Sequence, residues 1–305
     1  MGNKRSLAVN RAGRGGCWPT GTSHASGIAV QKRVGFVRPM MNKSSTAGAA
    51  TANPLFDLSG RTALITGSSQ GLGLALARGL AQAGAAIVLN GRDEKKLAAT
   101  AEILRGEGAR VSTAAFDVTN GAACLTAIER VEAEFAPVDI LINNAGIHRR
   151  APLEEMTEAQ WREVIDTNLT SAFLVARAVA PRMIARRAGK IINTCSLMSE
   201  IGRPTTGNYA AAKGGLKMLT RAMAVEWAKH NLQINGIGPG YFETDMTKVL
   251  VANPEFNAWV CKRTPAGRWG RPEELVGAAV FLASRASDFV NGQIVYVDGG
   301  LLAAV

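Results

Sequence analysis

The stretch Thr62-Ala63-Leu64-Ile65-Thr66-Gly67-Ser68-Ser69-Gln70-Gly71-Leu72-Gly73 decides the fold. A short apolar run leads straight into glycines, and an Ala/Leu-rich segment to Ala83 then carries helical periodicity. Strand, glycine-rich turn and helix in that order open a βαβ unit. Glycine lets the backbone turn tightly and approach a ligand, while the helix N-terminus offers free N–H groups and a positive dipole end. Both properties suit a pyrophosphate. The spacing G-x-x-x-G-x-G departs from the common G-x-G-x-x-G, and alone such a turn could serve only packing. Gly67, Ser69, Gln70, Gly71, Leu72 and Gly73 are the candidate contacts here.

Working outward, further apolar runs stand at Ala86–Asn90, Arg110–Phe116, Val138–Ile142, in a segment ending at Ser196, at Leu232–Gly236 and at Gln293–Val297. Helical patterns separate them at Asp93–Glu107, Gly121–Phe135, Glu158–Arg187, Tyr209–Lys229 and Pro272–Ser284. Seven strands alternating with helices predict an α/β fold: a doubly wound parallel sheet (Rossmann fold) with helices on both faces, in a single domain over residues 57–305.

The net charge of +11 does not call for a nucleic-acid partner. Residues 1–56 hold Lys4, Arg5, Arg11, Arg14, Lys32, Arg33, Arg38 and Lys43 with no acid, which leaves the remainder only three positive. That basic segment lacks periodicity and reads as a disordered extension, with a mis-assigned start near Met40 and Met41 or a targeting segment as its other readings. No apolar run of 18 residues occurs, so no membrane span is expected. Four scattered cysteines and three histidines without ligand spacing suggest neither a disulfide framework nor a metal site, and a cytoplasmic protein is the default.

Asn90-Gly91-Arg92 ends the second strand, where a carboxylate would bind a ribose 2′-hydroxyl. With no carboxylate to repel a 2′-phosphate and Arg92 able to pair with one, NADP is the expected cofactor and NAD the alternative. Asn143-Asn144-Ala145-Gly146, at the end of the fourth strand, could close the floor of the same cleft. Tyr209-Ala-Ala-Ala-Lys213 puts a phenol and an ammonium one helical turn apart, about 5 to 6 Å at Cβ. A cation there favours the phenolate and makes the tyrosine a plausible acid/base. An isolated pair of this kind is equally a surface feature.

Taken together, the glycine pattern, Asn-Asn-Ala-Gly, a serine 13 residues before Tyr-x-x-x-Lys, and Pro239-Gly240 resemble the short-chain dehydrogenase/reductase family over residues 57–305. The resemblance implies that Tyr209 is the general acid/base, that Ser196 holds the substrate oxygen, and that Lys213 lowers the tyrosine pKa and holds the nicotinamide ribose. It further implies that Asn168 supports a water linking the lysine to solvent. Asp117 and Val118 would lie beside the adenine, Asn144, Ala145 and Gly146 along the cofactor, and Pro239, Gly240 and Thr244 at the carboxamide. A homotetramer is also implied.

Within that family, Ile147-His148-Arg149-Arg150, Cys195–Arg203, Gly238–Thr244 and Lys262–Gly270 resemble the gluconate 5-dehydrogenase subfamily, which implies interconversion of D-gluconate and 5-dehydro-D-gluconate. Arg149 or Arg150 would bind the carboxylate of such a sugar-acid substrate, and Ser199, Glu200 or Arg203 its hydroxyls, with Arg150 and Glu200 the chosen candidates. A 2-deoxygluconate 3-dehydrogenase, a 3-oxoacyl carrier-protein reductase and a non-catalytic dinucleotide-binding regulator are the alternatives.

Overall fold

The computed structural model describes residues 53–304. The expected extension lies outside them except for its last four residues. Leu55 already accepts a hydrogen bond from Ala286 N, so contacts with the folded body begin ahead of residue 57.

In chain order the elements are β1 (Thr62–Ile65), α1 (Gly71–Gln82), β2 (Ala86–Gly91), α2 (Glu94–Gly106), β3 (Val111–Ala115), α3 (Gly121–Glu134), β4 (Ile140–Asn143), α4 (Glu158–Ile165), α5 (Ser171–Arg186), β5 (Gly189–Thr194), α6 (Gly207–Trp227), β6 (Leu232–Pro239), α7 (Lys248–Val251), α8 (Pro254–Arg263), α9 (Val276–Ala283) and β7 (Ile294–Val297). The strands form one parallel sheet in the order β3-β2-β1-β4-β5-β6-β7. The chain winds one way from β1 to β3, then crosses to β4 and winds the other way. A cleft therefore opens between the C-terminal ends of β1 and β4, where connections leave in opposite directions.

β1, β4, β5 and β6 are buried along their whole length, as alternating side chains enter two cores. Ala63, Ile65, Ile87, Leu89, Ile140, Ile142 and Ile192 pack with Leu76, Leu80 and Leu97 from α1 and α2 and with Ala279 and Leu282 from α9. Leu64, Val88, Leu141 and Ile191 face Ile128, Val175, Val179 and Met223 from α3, α5 and α6. Truncating any of these leucines or isoleucines to alanine would cost about 2–5 kcal/mol.

Three local expectations are corrected. The helix expected over 158–187 is interrupted by a π-turn at Asp166–Thr170, which no glycine or proline announces. Ser196 lies beyond its strand: β5 stops at Thr194, and Ser196 caps a 3₁₀ turn over Leu197–Ser199. Between β6 and α9, where no helix is expected, the chain forms α7 and α8. Asn253 caps α8 by accepting from Phe256 N, with Pro254 in the first turn, a start signal present in the sequence.

The two loops that floor the cleft hang on one hydroxyl. Thr66 Oγ1 accepts from Asn144 N and Ala145 N, each at 2.9 Å, and donates to Ile142 O at 3.4 Å. Asn144 Nδ2 returns bonds to Thr66 O and Gly67 O at 2.9 and 3.1 Å. Replacing Thr66 by Val keeps the shape and strands two backbone N–H groups, each loss costing about 1–3 kcal/mol. Thr66→Val is expected to lower the urea midpoint accordingly and to weaken NADPH binding; unchanged values in both measurements would show that water replaces the hydroxyl.

Candidate active site

A cleft of about 1050 Å³ opens at this edge, and every residue expected to touch the dinucleotide lines it. Its glycines leave room for the backbone of such a ligand's cradle. Gly67 adopts φ +62°, a conformation that disfavours side chains. A Cβ on Gly73 would lie 2.4 Å from Gly67 O and 2.6 Å from Asn144 Nδ2, so only glycine lets α1 start this close to the turn. Gln70 does not cap α1 with its side chain, which instead accepts from Lys96. The first-turn N–H groups of α1 thus have no side-chain cap and can receive an anion.

At the far end, Asn90 lines the cleft and also braces it. Its side chain donates to Ala114 O and Phe116 O, at 3.0 and 3.2 Å, and accepts from Gly67 N at 3.3 Å, so it pins the glycine turn to β3. Arg92 is exposed on the cleft rim and makes no ion pair among the described residues. Asp117 is opposite. The Thr119 backbone N–H holds its carboxyl below the usual carboxylate range, with the Thr119 hydroxyl and the Arg92 charge adding to the effect against burial.

Ser196, Tyr209 and Lys213 meet at the other end. Lys213 is 3% exposed, and its Nζ donates to Thr194 O at 2.5 Å, which fastens α6 to the end of β5. One turn earlier Tyr209 faces Ser196, and the lysine nitrogen stands 5.6 Å from the phenol ring centre. Ser196 Oγ accepts from Met198 N at 3.2 Å, which leaves its own proton to donate. Burial pushes the Tyr209 pKa up, and the serine hydrogen bond only partly offsets this. Lys213 does not enter this balance. Burial instead lowers Lys213 itself to about 8.

Asn168 is 1% exposed within the π-turn. Its Oδ1 accepts from Ile147 N at 2.7 Å and its Nδ2 donates to Ile147 O at 2.8 Å, so the side chain ties the turn to the loop after β4. Asn208, unremarked in the sequence, has the same office for α6: its Nδ2 donates to Arg149 O at 3.0 Å and Gln160 O at 3.3 Å. Only side-chain position reveals it.

The expected substrate contacts divide. Glu200 does not line the cleft, since its carboxylate accepts from Lys217 and from Tyr296 at 2.6 Å; that assignment is withdrawn. Ser199 is likewise committed, to Ser196 N at 3.3 Å and Lys213 O at 2.9 Å. Arg149 forms a two-bond ion pair with Glu163, at 2.8 and 2.7 Å. Arg150 has no such partner among the described residues and, like Glu200, does not itself line the cleft. His148, not singled out before, stacks flat on Tyr209 with ring centres 4.6 Å apart and planes 8° apart. Burial, then Arg150 and Arg203, lower its pKa to about 4, so it stays neutral near pH 7. Nearby, Tyr241 meets Phe256, Trp259 and Trp269 edge-on at 5.6 to 5.8 Å, walling this side with α8.

A family model described as enoyl-(acyl carrier protein) reductase matches residues 67–302. The gluconate 5-dehydrogenase of Gluconobacter oxydans is 55% identical over 251 residues, 82% of this chain and 98% of its own. The chain belongs to the short-chain dehydrogenase/reductase family. The 5-keto-D-gluconate 5-reductase of Escherichia coli K12 is 53% identical, over 83% of this chain and 100% of its own. A crystal structure of a gluconate 5-dehydrogenase from Burkholderia cenocepacia J2315 in complex with NADP and tartrate superposes with a TM-score of 0.81 at 55% identity, covering 83% of this chain and 99% of that one. Among the described residues of this short-chain dehydrogenase no helix is long and apolar enough to cross a membrane, and no cluster of three or more metal-binding side chains occurs.

The buried lysine sets a pH dependence for the ligand-free enzyme. Unfolded, Lys213 titrates near the ordinary 10.5; folded, near 8. Between these values the unfolded chain binds more protons, so stability rises with pH across the window, and below pH 8 the burial cost is constant. Urea denaturation at pH 7 to 10.5 should show wild type gaining on Lys213→Met by up to about 3 kcal/mol. A difference that does not change with pH would contradict the depressed lysine.

Proposed function

We propose that the protein interconverts D-gluconate and 5-dehydro-D-gluconate with NADP(H), with Tyr209 as acid/base. One observation carries the reading: the phenol and the serine hydroxyl line the same cleft as the glycine turn and Arg92. The gluconate 5-dehydrogenase and 5-keto-D-gluconate 5-reductase relatives, and the complex of one such enzyme with NADP and tartrate, support a hydroxy acid as substrate.

Bound NADPH supplies the hydride for the keto carbon. As negative charge gathers on the carbonyl oxygen, Ser196 donates a hydrogen bond to it and Tyr209 delivers its proton. The phenol holds its proton at neutral pH and is the group placed to give it. Lys213, titrating near 8, can exchange a proton with the site under the same conditions. Asn168 keeps the π-turn and the loop after β4 in register behind the pair. In oxidation the tyrosine takes the hydroxyl proton back. Arg92 binds the 2′-phosphate, and Arg150 the substrate carboxylate.

The same reading makes the body over 57–305 catalytic and residues 1–56 an extension ahead of it, in a cytoplasmic homotetramer. Phe173 on α5 and Met218 and Val225 on α6, the last 84% exposed, offer apolar surface for subunit contact.

With NADPH, the purified protein should reduce 5-ketogluconate; no turnover, alongside good turnover of acetoacetyl thioesters, would overturn the assignment. Tyr209→Phe is expected to cut kcat about 10²- to 10⁴-fold with NADPH affinity held within about twofold. Retained activity would remove the tyrosine from its role. Arg92→Asp should shift preference toward NADH in kcat/KM, and an unchanged preference would place the phosphate on other groups.

A further inference from the structure

Arg203 sits on the loop between Ser196 and Tyr209, and among the described residues neither it nor Arg150 has an acidic partner, whereas neighbouring Arg149 does. The two guanidiniums bear on one another: the Arg203 charge, after burial, disfavours the charged form of Arg150. Both also act on His148, the ring stacked on Tyr209, whose Nδ1 is buried without a hydrogen-bond partner. Like charges held together without a counter-ion cost free energy that a bound anion would return. Geometry puts both arginines beside the tyrosine end of the cleft: Tyr241, the hydrogen-bond partner of Arg203, directly follows the cleft-lining Gly240, and His148, stacked on Tyr209, stands two residues before Arg150.

Arg203 is also held in place. Its Nη1 donates to Tyr241 Oη at 3.3 Å, and its guanidinium lies 4.9 Å over the Phe256 ring. Behind it, Thr206 Oγ1 donates to Arg203 O at 2.7 Å. Thr205, a β-branched residue, adopts φ +66°, a conformation costing about 1–3 kcal/mol that tends to occur where function requires it. The loop thus accepts backbone strain beside an unpaired cation.

We propose that Arg203 is a specificity-determining residue that binds the substrate carboxylate together with Arg150, so that Tyr209 meets the keto or hydroxyl carbon of an acid rather than of a neutral sugar. The inference rests on the sugar-acid reading above and deepens it. A hydroxyl-binding part for Arg203 is thereby replaced by a charge-reading one. A planar fork is needed for two parallel bonds to a carboxylate, which lysine does not have.

The test compares wild type, Arg203→Met and Arg203→Lys by calorimetric titration of the enzyme–NADP⁺ complex with gluconate and with gluconamide, its uncharged analogue, alongside kinetics with gluconate. Arg203→Met is expected to weaken gluconate binding about thirtyfold, within the range of a lost charge-assisted bond, and to raise KM similarly with kcat within about threefold. Gluconamide binding should change less than about threefold, and Arg203→Lys should recover only part of the loss. Equal losses for acid and amide, or loss of NADP⁺ affinity and melting temperature, would mean a structural role and overturn the proposal. Wild-type affinity for gluconate in Arg203→Met would overturn it alone. A wild type that neither binds nor oxidises gluconate would overturn the sugar-acid reading and this inference with it.

Discussion

The bond from the Lys213 ammonium to the Thr194 carbonyl is the constraint on which the rest of the site depends. A lysine that is 3% exposed would be costly without a partner, and the carbonyl at the end of β5 is the acceptor it finds. That bond sets the rotation and depth of α6 against the sheet. Tyr209, one turn away, is then carried to Ser196, which hangs from the same strand end. The residue that positions the tyrosine is itself tuned by the same burial, which lowers the lysine and raises the phenol.

A second group of interactions keeps the cofactor side rigid. Thr66 and Asn144 tie the ends of β1 and β4 across the point where the winding reverses, and Asn90 ties the glycine turn to β3. These polar groups are committed inside the protein, so around the glycine turn the cleft is lined by Gly67, Gly71 and Gly73, with Arg92 further along. An anionic dinucleotide meets N–H groups already in place, without the cost of ordering long side chains. The substrate side is built on the opposite plan, with aromatic rings and paired side chains leaving two arginines unmatched.

Much of this could be read from residue order. The alternation of buried runs and helical patterns, with a strand–glycine–helix opening, leaves few topologies other than a doubly wound sheet, and the seven strands occur where those runs lie. Gly67, Gly73 and the Asn-Asn-Ala-Gly turn could be read because their chemistry is local: a turn needs φ above zero or room for a backbone, whatever surrounds it. The split of the 158–187 helix was not read: Asp166, Thr167, Asn168 and Thr170 are poor helix formers, but no glycine or proline marks the place, and the bonds from Asn168 to Ile147 join residues 21 apart. Glu200 was misplaced for a related reason. Its sequence position near Ser196 suggested the cleft, but Lys217 and Tyr296, far along the chain, supply the better partners and turn it away.

Sequence by itself determined the sheet, the site of cofactor entry and the serine, tyrosine and lysine that face it, because periodicity and short-range spacing are properties of neighbours along the chain. Tertiary structure decided the electrostatics. Whether Lys213 would lower the tyrosine, whether Arg149 or Arg150 stays unpaired, and where Arg203 would stand all depend on burial and on partners brought from distant segments. Those quantities have no local signature, since the cost of a charge is set by what surrounds it in space.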